Sequence, residues 1–104
     1  MINFKNKKIL VTGATGGIGN ALVKKFLSLE GNVLATGTKI EKLDSLKKNF
    51  PKINTLKFDI SEHSKIEEFV ENVSSQLGGL DVLVNNAGIN MDNLSLRMKD
   101  EEWK

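Results

Sequence analysis

Apolar residues along this chain recur with two alternating periods. Lys8-Ile9-Leu10-Val11-Thr12 is a short apolar run ending in a cluster of glycines, the pattern of a buried strand. Ile18, Ala21, Leu22, Phe26 and Leu29 then recur at helical spacing, and Gly31-Asn32 supplies a stop. Val33-Leu34-Ala35-Thr36 predicts a second strand. Leu43, Leu46 and Phe50 mark one face of a second helix, which ends at Phe50-Pro51 because proline disfavours helix at the residue before it. A third strand is predicted at Thr55-Leu56-Lys57-Phe58, closing with Asp59-Ile60. Ser61 is a candidate N-cap for a third helix whose core face is Ile66, Phe69, Val70, Val73 and Leu77, with Gly78-Gly79 at its end. Leu80 to Asn85 reads as a fourth strand leading into Asn86-Ala87-Gly88. A polar loop follows, and the acids of Asp100-Glu101-Glu102-Trp103 suit the positive end of a new helix.

Strand and helix alternating in this way predict an α/β fold with a parallel sheet covered on both faces. Right-handed crossovers carry the chain outward from strand one and then back to its other side, giving a partial Rossmann-type, doubly wound sheet of order 3-2-1-4. The sequence ends before a parallel strand five, so residues 1–104 read as the N-terminal part of a single dinucleotide-binding domain. Strand four is then expected to present an apolar bare edge, and the third helix's side of the sheet to lack most of its cover, leaving the isolated chain marginally folded. The switch point falls between strands one and four, where a ligand crevice is expected.

Composition narrows the chemistry. Hydrophobic residues at 39% and charged residues at 27% describe a globular domain, and a net charge of +2 does not suggest nucleic-acid or membrane steering. The basic cluster Lys5, Lys7 and Lys8 reads as a solvated lead-in to the first strand. With no cysteine there are no disulfides, thiolate nucleophiles or Cys-ligated metals, and a single histidine, His63, argues against a His-ligated metal site. No apolar run approaches the roughly 20 residues of a membrane span. The chain reads as cytoplasmic.

Between the first strand and first helix stands Thr12-Gly13-Ala14-Thr15-Gly16-Gly17-Ile18-Gly19. Glycines there let the chain turn tightly, remove the Cβ atoms that would hold a pyrophosphate away, and allow the helix to pack near the strand. The helix N-terminus offers free N–H groups and partial positive charge to the phosphates. A P-loop would need Gly-Lys-Ser/Thr at its end, and Gly17-Ile18-Gly19 stands there instead. Glycine clusters also form plain turns, so the weight rests on the strand before and the helix after. At the end of strand two, Thr36-Gly37-Thr38-Lys39 lacks the acid that bonds the adenine ribose in NAD-binding folds. With Lys39 close by, that favours NADP (NADPH) over NAD, although Lys39 also reads as a solvated helix-start lysine.

Taken together, the motifs resemble those of short-chain dehydrogenases/reductases. Thr12-Gly13-x-x-x-Gly17-Ile18-Gly19 is similar to that family's cofactor motif, Asn85-Asn86-Ala87-Gly88 to its second motif after strand four, and Asp59 to its adenine-contacting acid. The resemblance implies that Gly13, Thr15, Gly16, Gly17, Ile18 and Gly19 make up the pyrophosphate loop, with Thr38 and Lys39 near the adenosine ribose. It likewise implies Asp59 and Ile60 at the adenine, and Asn86, Ala87 and Gly88 along the nicotinamide ribose. Asn85 and Asn86 also read as loop-fixing residues, because asparagine side chains readily tie down backbone. Asp81 reads as a strand-start residue and His63 as a surface one.

Asn86-Ala87-Gly88-Ile89, Asp92-Asn93-Leu94 and Arg97-Met98-Lys99-Asp100-Glu101-Glu102-Trp103 further resemble the 3-oxoacyl-(acyl carrier protein) reductases of bacterial fatty-acid synthesis. That branch uses NADPH but often carries arginine, which helps hold the 2′-phosphate, where this chain has Gly16. The resemblance implies a tetrameric enzyme acting on a substrate carried by acyl carrier protein, with a tyrosine, a lysine four residues on, a serine and an asparagine doing the chemistry. This chain has no tyrosine, so that tetrad would lie beyond Lys104 and the chain alone is expected to be inactive. Two other readings stay open: another short-chain dehydrogenase acting on a small alcohol or ketone, and a non-catalytic dinucleotide-binding protein.

Overall fold

The computed structural model describes residues 3–59, 63–86 and 95–98. In chain order the elements are β1 (Lys8–Val11), α1 (Gly17–Ser28), β2 (Asn32–Gly37), α2 (Ile40–Asn49), β3 (Asn54–Lys57), a single 3-10 turn (His63–Lys65), α3 (Ile66–Leu77), β4 (Val82–Asn85) and β5 (Ser95–Met98). The sheet runs β3-β2-β1-β4-β5, its first four strands parallel in the predicted order.

β5 corrects the expectation of a bare edge. It pairs antiparallel with β4, Val82 opposite Met98 through Asn85 opposite Ser95, from a segment expected to be a polar loop. The parallel partner expected for this edge would need a crossover of a dozen or more residues. An antiparallel strand can be drawn from the next stretch of chain. The helix expected from Asp100 and the N-cap at Ser61 lie outside the described residues.

Alternation along the strands divides the core in two. Ile9, Val11, Val33, Ala35, Val82 and Val84 face one way and bury against Val23 and Phe26 of α1, Leu46 of α2 and Ile53. Leu10 and Leu34 face the other way, against Phe69, Val73 and Leu77 of α3. Each Val, Leu, Ile or Phe side chain among these contributes roughly 1.5–3 kcal/mol when fully buried. The α3 side is the thinner one, with Leu56, Phe58, Leu80 and Leu83 only partly covered.

In α2 and α3 the buried faces match the periodicity: Leu43 and Leu46 in one, Phe69, Val73 and Leu77 in the other, although Val70 is exposed. In α1 the phase differs. Gly19, Val23 and Phe26 are buried, whereas Ile18, Ala21 and Leu29 are exposed. Apolar residues wrap much of this helix, so periodicity alone does not choose a face. Gly19 does choose it: a Cβ there would stand 2.4 Å from the Gly13 carbonyl oxygen, and only glycine lets the first turn sit this close.

The end of α1 also begins earlier than the Gly31-Asn32 stop read from the sequence, and divides its work between two residues. Glu30 takes the left-handed conformation, at φ 65°, and donates its N–H to Leu27 O at 2.9 Å. Gly31 N–H closes on Phe26 O at 2.9 Å, completing a Schellman-type cap. Gly31 is glycine for space, because a Cβ would lie 2.5 Å from Ile9 Cδ1. Glu30 thus carries backbone strain that a glycine would not. Glu30→Gly is therefore expected to stabilise the chain by about 0.5–1 kcal/mol in denaturant unfolding; a loss of stability would refute the strain.

Candidate functional site

The carboxyl ends of β1 and β4 are joined through one buried hydroxyl. Thr12, which follows β1, is 3% exposed, and its N–H donates to Val84 O at 3.0 Å. Its Oγ1 accepts the Asn86 N–H at 3.0 Å and lies 3.1 Å from Asn85 Oδ1 and 3.4 Å from Val84 O. A hydroxyl carries a single proton, so it donates to one of these two acceptors while receiving the amide. Asn86 Nδ2 donates to Gly13 O at 3.1 Å. A carbonyl can only accept, which fixes the amide's orientation. The glycine loop and the asparagine loop therefore hold each other at the point where the sheet's winding reverses, the place where open α/β sheets bind ligands.

Within the glycine loop, the fold itself requires two of the glycines and leaves two free. Gly13 sits at φ 60°, in the left-handed region. Gly19 is demanded by the packing of α1 on the loop. Nothing lies within 4 Å of a Cβ built at Gly16 or Gly17. Their bareness is not required by any neighbouring group; it leaves open space over the start of α1. Gly16 is the N-cap, with no side-chain cap and no acid in the first turn, and the Asn20 N–H is bonded to Gly16 O. The amides ahead of it have no helical acceptor by geometry and point outward with the positive end of the helix dipole. Ile18, exposed, flanks them.

The loop reaches the next strand as well. Ala14 N–H donates to Thr36 O at 2.9 Å, and Thr15 packs over Gly37, whose Cβ, if present, would lie 3.1 Å from Thr15 Cγ2. Beyond Gly37, Thr38 is exposed and opens on a cleft lined by Lys57, Phe58, Asp59 and Lys65. Phe58 N–H is bonded to Gly37 O at 2.9 Å, and its ring stacks on Phe69 at 3.9 Å between centroids, so this wall is fixed by two contacts.

The structure thus gathers Gly13, Thr15, Gly16, Gly17, Ile18, Gly19 and Asn86 at the ends of β1 and β4, and Thr38 with Asp59 in the neighbouring cleft. Lys39 is the N-cap of α2 and is not among the cleft's described lining residues. Ile60, Ala87 and Gly88 lie outside the described residues. Lys57, Phe58 and Lys65 were not singled out by sequence; Lys57 ends β3 in register with Gly37, a relation that only the folded sheet creates. Asp81 stands at the start of β4, its carboxylate accepting the Lys8 N–H at 2.9 Å and its own N–H bonded to Lys8 O at 2.8 Å, a strand-start role as read from sequence. Among the described residues, no group of three or more His, Cys, Asp or Glu could hold a metal, and no helix is long and apolar enough to cross a membrane.

Against known proteins, the short chain dehydrogenase family model matches residues 7–104, and the chain belongs to that family. It is 37% identical over 103 residues to the 3-oxoacyl-(acyl-carrier-protein) reductase FabG of Escherichia coli (strain K12), covering 98% of this chain and 42% of that protein. It is 35% identical over 105 residues to nodulation protein G of Rhizobium sp. (strain N33), covering 99% of this chain and 42% of the relative. The structure of a short-chain dehydrogenase/reductase from Brucella melitensis, described as a glucose/ribitol dehydrogenase, superposes with a TM-score of 0.71 at 34% identity, over 80% of this chain and 37% of that one. The chain spans about two fifths of the length of these curated relatives.

The two loop-setting groups are separable by mutation. Thr12→Val leaves the Asn86 N–H without its buried acceptor and is expected to cost about 1–3 kcal/mol, with Thr12→Ser recovering most of it in chemical denaturation. Gly19→Ala is expected to cost about 1–3 kcal/mol through overpacking, whereas Gly17→Ala should change stability by less than about 1 kcal/mol. Equal losses at the two glycines would contradict the division of roles.

Proposed function

We propose that this chain is the cofactor-binding half of an NADPH-dependent reductase that converts a 3-oxoacyl group on acyl carrier protein to the 3-hydroxyacyl form. The observation that carries the proposal is the open, glycine-floored start of α1. Two glycines that the fold itself does not require lie over outward-pointing amides, held against the asparagine loop by Thr12 and Asn86. A pyrophosphate fits such a cradle, where any Cβ would stand in its way.

In this reading Gly13, Thr15, Gly16, Gly17, Ile18 and Gly19 form the loop that takes the pyrophosphate. Thr38, Lys39, Asp59 and Ile60 surround the adenosine, while Asn86, Ala87 and Gly88 run along the nicotinamide ribose. When bound, the reduced nicotinamide supplies hydride for the carbonyl carbon. The chain's own part is to bind and orient the dinucleotide: the α1 amides take the negative charge, and the Thr12–Asn86 link sets the distance between the loop and the nicotinamide end. Supplying a proton to the carbonyl oxygen needs the tyrosine and lysine of the family pattern, and there is no tyrosine among these 104 residues. The chain alone therefore binds without turnover. The intact protein is proposed to be a cytoplasmic homotetramer. The similarity to the Escherichia coli reductase supports the acyl substrate.

A second reading keeps the fold and changes the substrate to a small alcohol or sugar, favoured by the likeness to the Brucella melitensis structure described as a glucose/ribitol dehydrogenase. The intact protein offered an acyl-carrier-protein-linked 3-oxoacyl thioester or a panel of sugar alcohols would separate the two by which one drives NADP(H) turnover.

Calorimetric titration of this chain with NADPH should give saturable binding. Gly17→Val should weaken it by about tenfold or more while leaving the far-ultraviolet circular dichroism unchanged, because an added side chain at this point meets only ligand. Unaltered affinity in the folded variant would sink the cradle assignment.

A further inference from the structure

The geometry points to Lys47 as a guard on the outer edge of the sheet, whose side chain keeps β3 from pairing with β3 of a second copy of this chain. Among the described strands β3 ends the sheet, with β2 on one side only. An edge strand offers unpaired N–H and C=O groups to any chain that can lie alongside it. The ladder decides which residues offer them here.

In a strand the N–H and C=O of one residue point to the same side, and successive residues alternate. Phe58 donates its N–H to Gly37 O at 2.9 Å, so Phe58, and with it Leu56 and Asn54, face β2. Ile53, Thr55 and Lys57 then face outward. The Ile53 N–H is taken by Phe50 O at 3.1 Å, from the turn before β3. Its carbonyl is taken by the Lys47 ammonium, which donates to Ile53 O at 2.5 Å and lies 3.4 Å from Pro51 O. Lys47 stands in the last turn of α2, so a helix reaches over to fill the backbone of a strand. Among the described residues nothing meets the outward backbone groups of Thr55 and Lys57.

Two copies that use the same edge pair about a two-fold axis, which sets the strands antiparallel. Centred on Thr55 or on Leu56, such a pairing places outward residues opposite one another. In either register, a ladder longer than Thr55 and Lys57 runs through Ile53 O, the atom that Lys47 holds. The Thr55-centred register also sets Lys57 of the second copy opposite Ile53. Gly37's missing Cβ would face Leu43 of α2, so Lys57, its register partner, starts on the α2 face from which Lys47 comes. Pairing there displaces one ammonium from its acceptor and brings another beside it, and like charges set opposite each other on a sheet are destabilising. What stays free is Thr55 and Lys57, too short an edge to hold another chain. The sheet is thus closed on one border by β5 and on the other by a side chain from α2.

Sedimentation velocity of the full chain at fixed ionic strength tests the guard. Relative to the unaltered chain, Lys47→Met should self-associate with a dissociation constant lower by about tenfold or more, because each dimer gains a freed Ile53 O from both copies. Lys47→Arg should match the unaltered chain. Adding Thr55→Pro to Lys47→Met should reverse the gain, because it deletes an outward N–H that β2 does not use. Unchanged association in the folded Lys47→Met variant, or a gain that Thr55→Pro leaves in place, overturns the guard. Should Lys47→Met lose its far-ultraviolet circular dichroism, Lys47→Gln carries the same test. Unfolding of both makes the lysine a support of the fold and overturns the proposal.

Discussion

The Thr12 hydroxyl ties together the parts of this fold on which everything else depends. It is buried, it follows the central strand β1, and it bonds to the segment that leaves β4. Strands β1 and β4 are far apart in sequence, joined through α1, β2, α2, β3 and α3, so their carboxyl ends meet only when the whole winding is complete. Hydrogen bonds made in a dry setting hold tightly when every member is satisfied. Asn86 extends the tie to Gly13, and Ala14 extends it to β2. The glycine loop is consequently anchored on three strands at once, and the start of α1 is aimed by the sheet rather than by the helix.

That anchoring explains why the loop can afford to be bare. A loop rich in glycine has high conformational freedom, and ordering it is costly. Here the ordering is done by its ends: Thr12 and Gly13 toward β4, Ala14 and Thr15 toward β2, Gly19 against the loop's own backbone. Gly16 and Gly17 are what remains between those anchors. They are the residues with open space in front of them.

Much of this was legible in the amino-acid sequence, for reasons that are local. The β-branched runs, the glycines after Thr12 and Asn86-Ala87-Gly88 after β4 announce a doubly wound sheet and its switch point, because period and turn chemistry act over a few residues. The rotation of α1 was not legible, since apolar residues lie around most of its circumference and only the contact of Gly19 with Gly13 picks the buried side. Nor was the division of labour at Glu30 and Gly31, which depends on Ile9 from another element. Lys57 and Lys65 are eight residues apart and look like any solvated lysines until β3 and α3 bring them to one cleft. β5 was missed for a related reason: polar residues can pair along an edge as well as in a loop, and what decides is a neighbouring strand in need of partners.

That last strand gives the sheet a border drawn from its own near sequence. β5 is four residues long, lies antiparallel, and comes from a segment close to β4 in sequence, so its pairing is of the kind that forms within microseconds. The β4 edge is thus shielded from stray chains by a neighbour close to it in sequence. On this side the sheet ends in a short ribbon rather than in the unpaired backbone of one of its parallel strands.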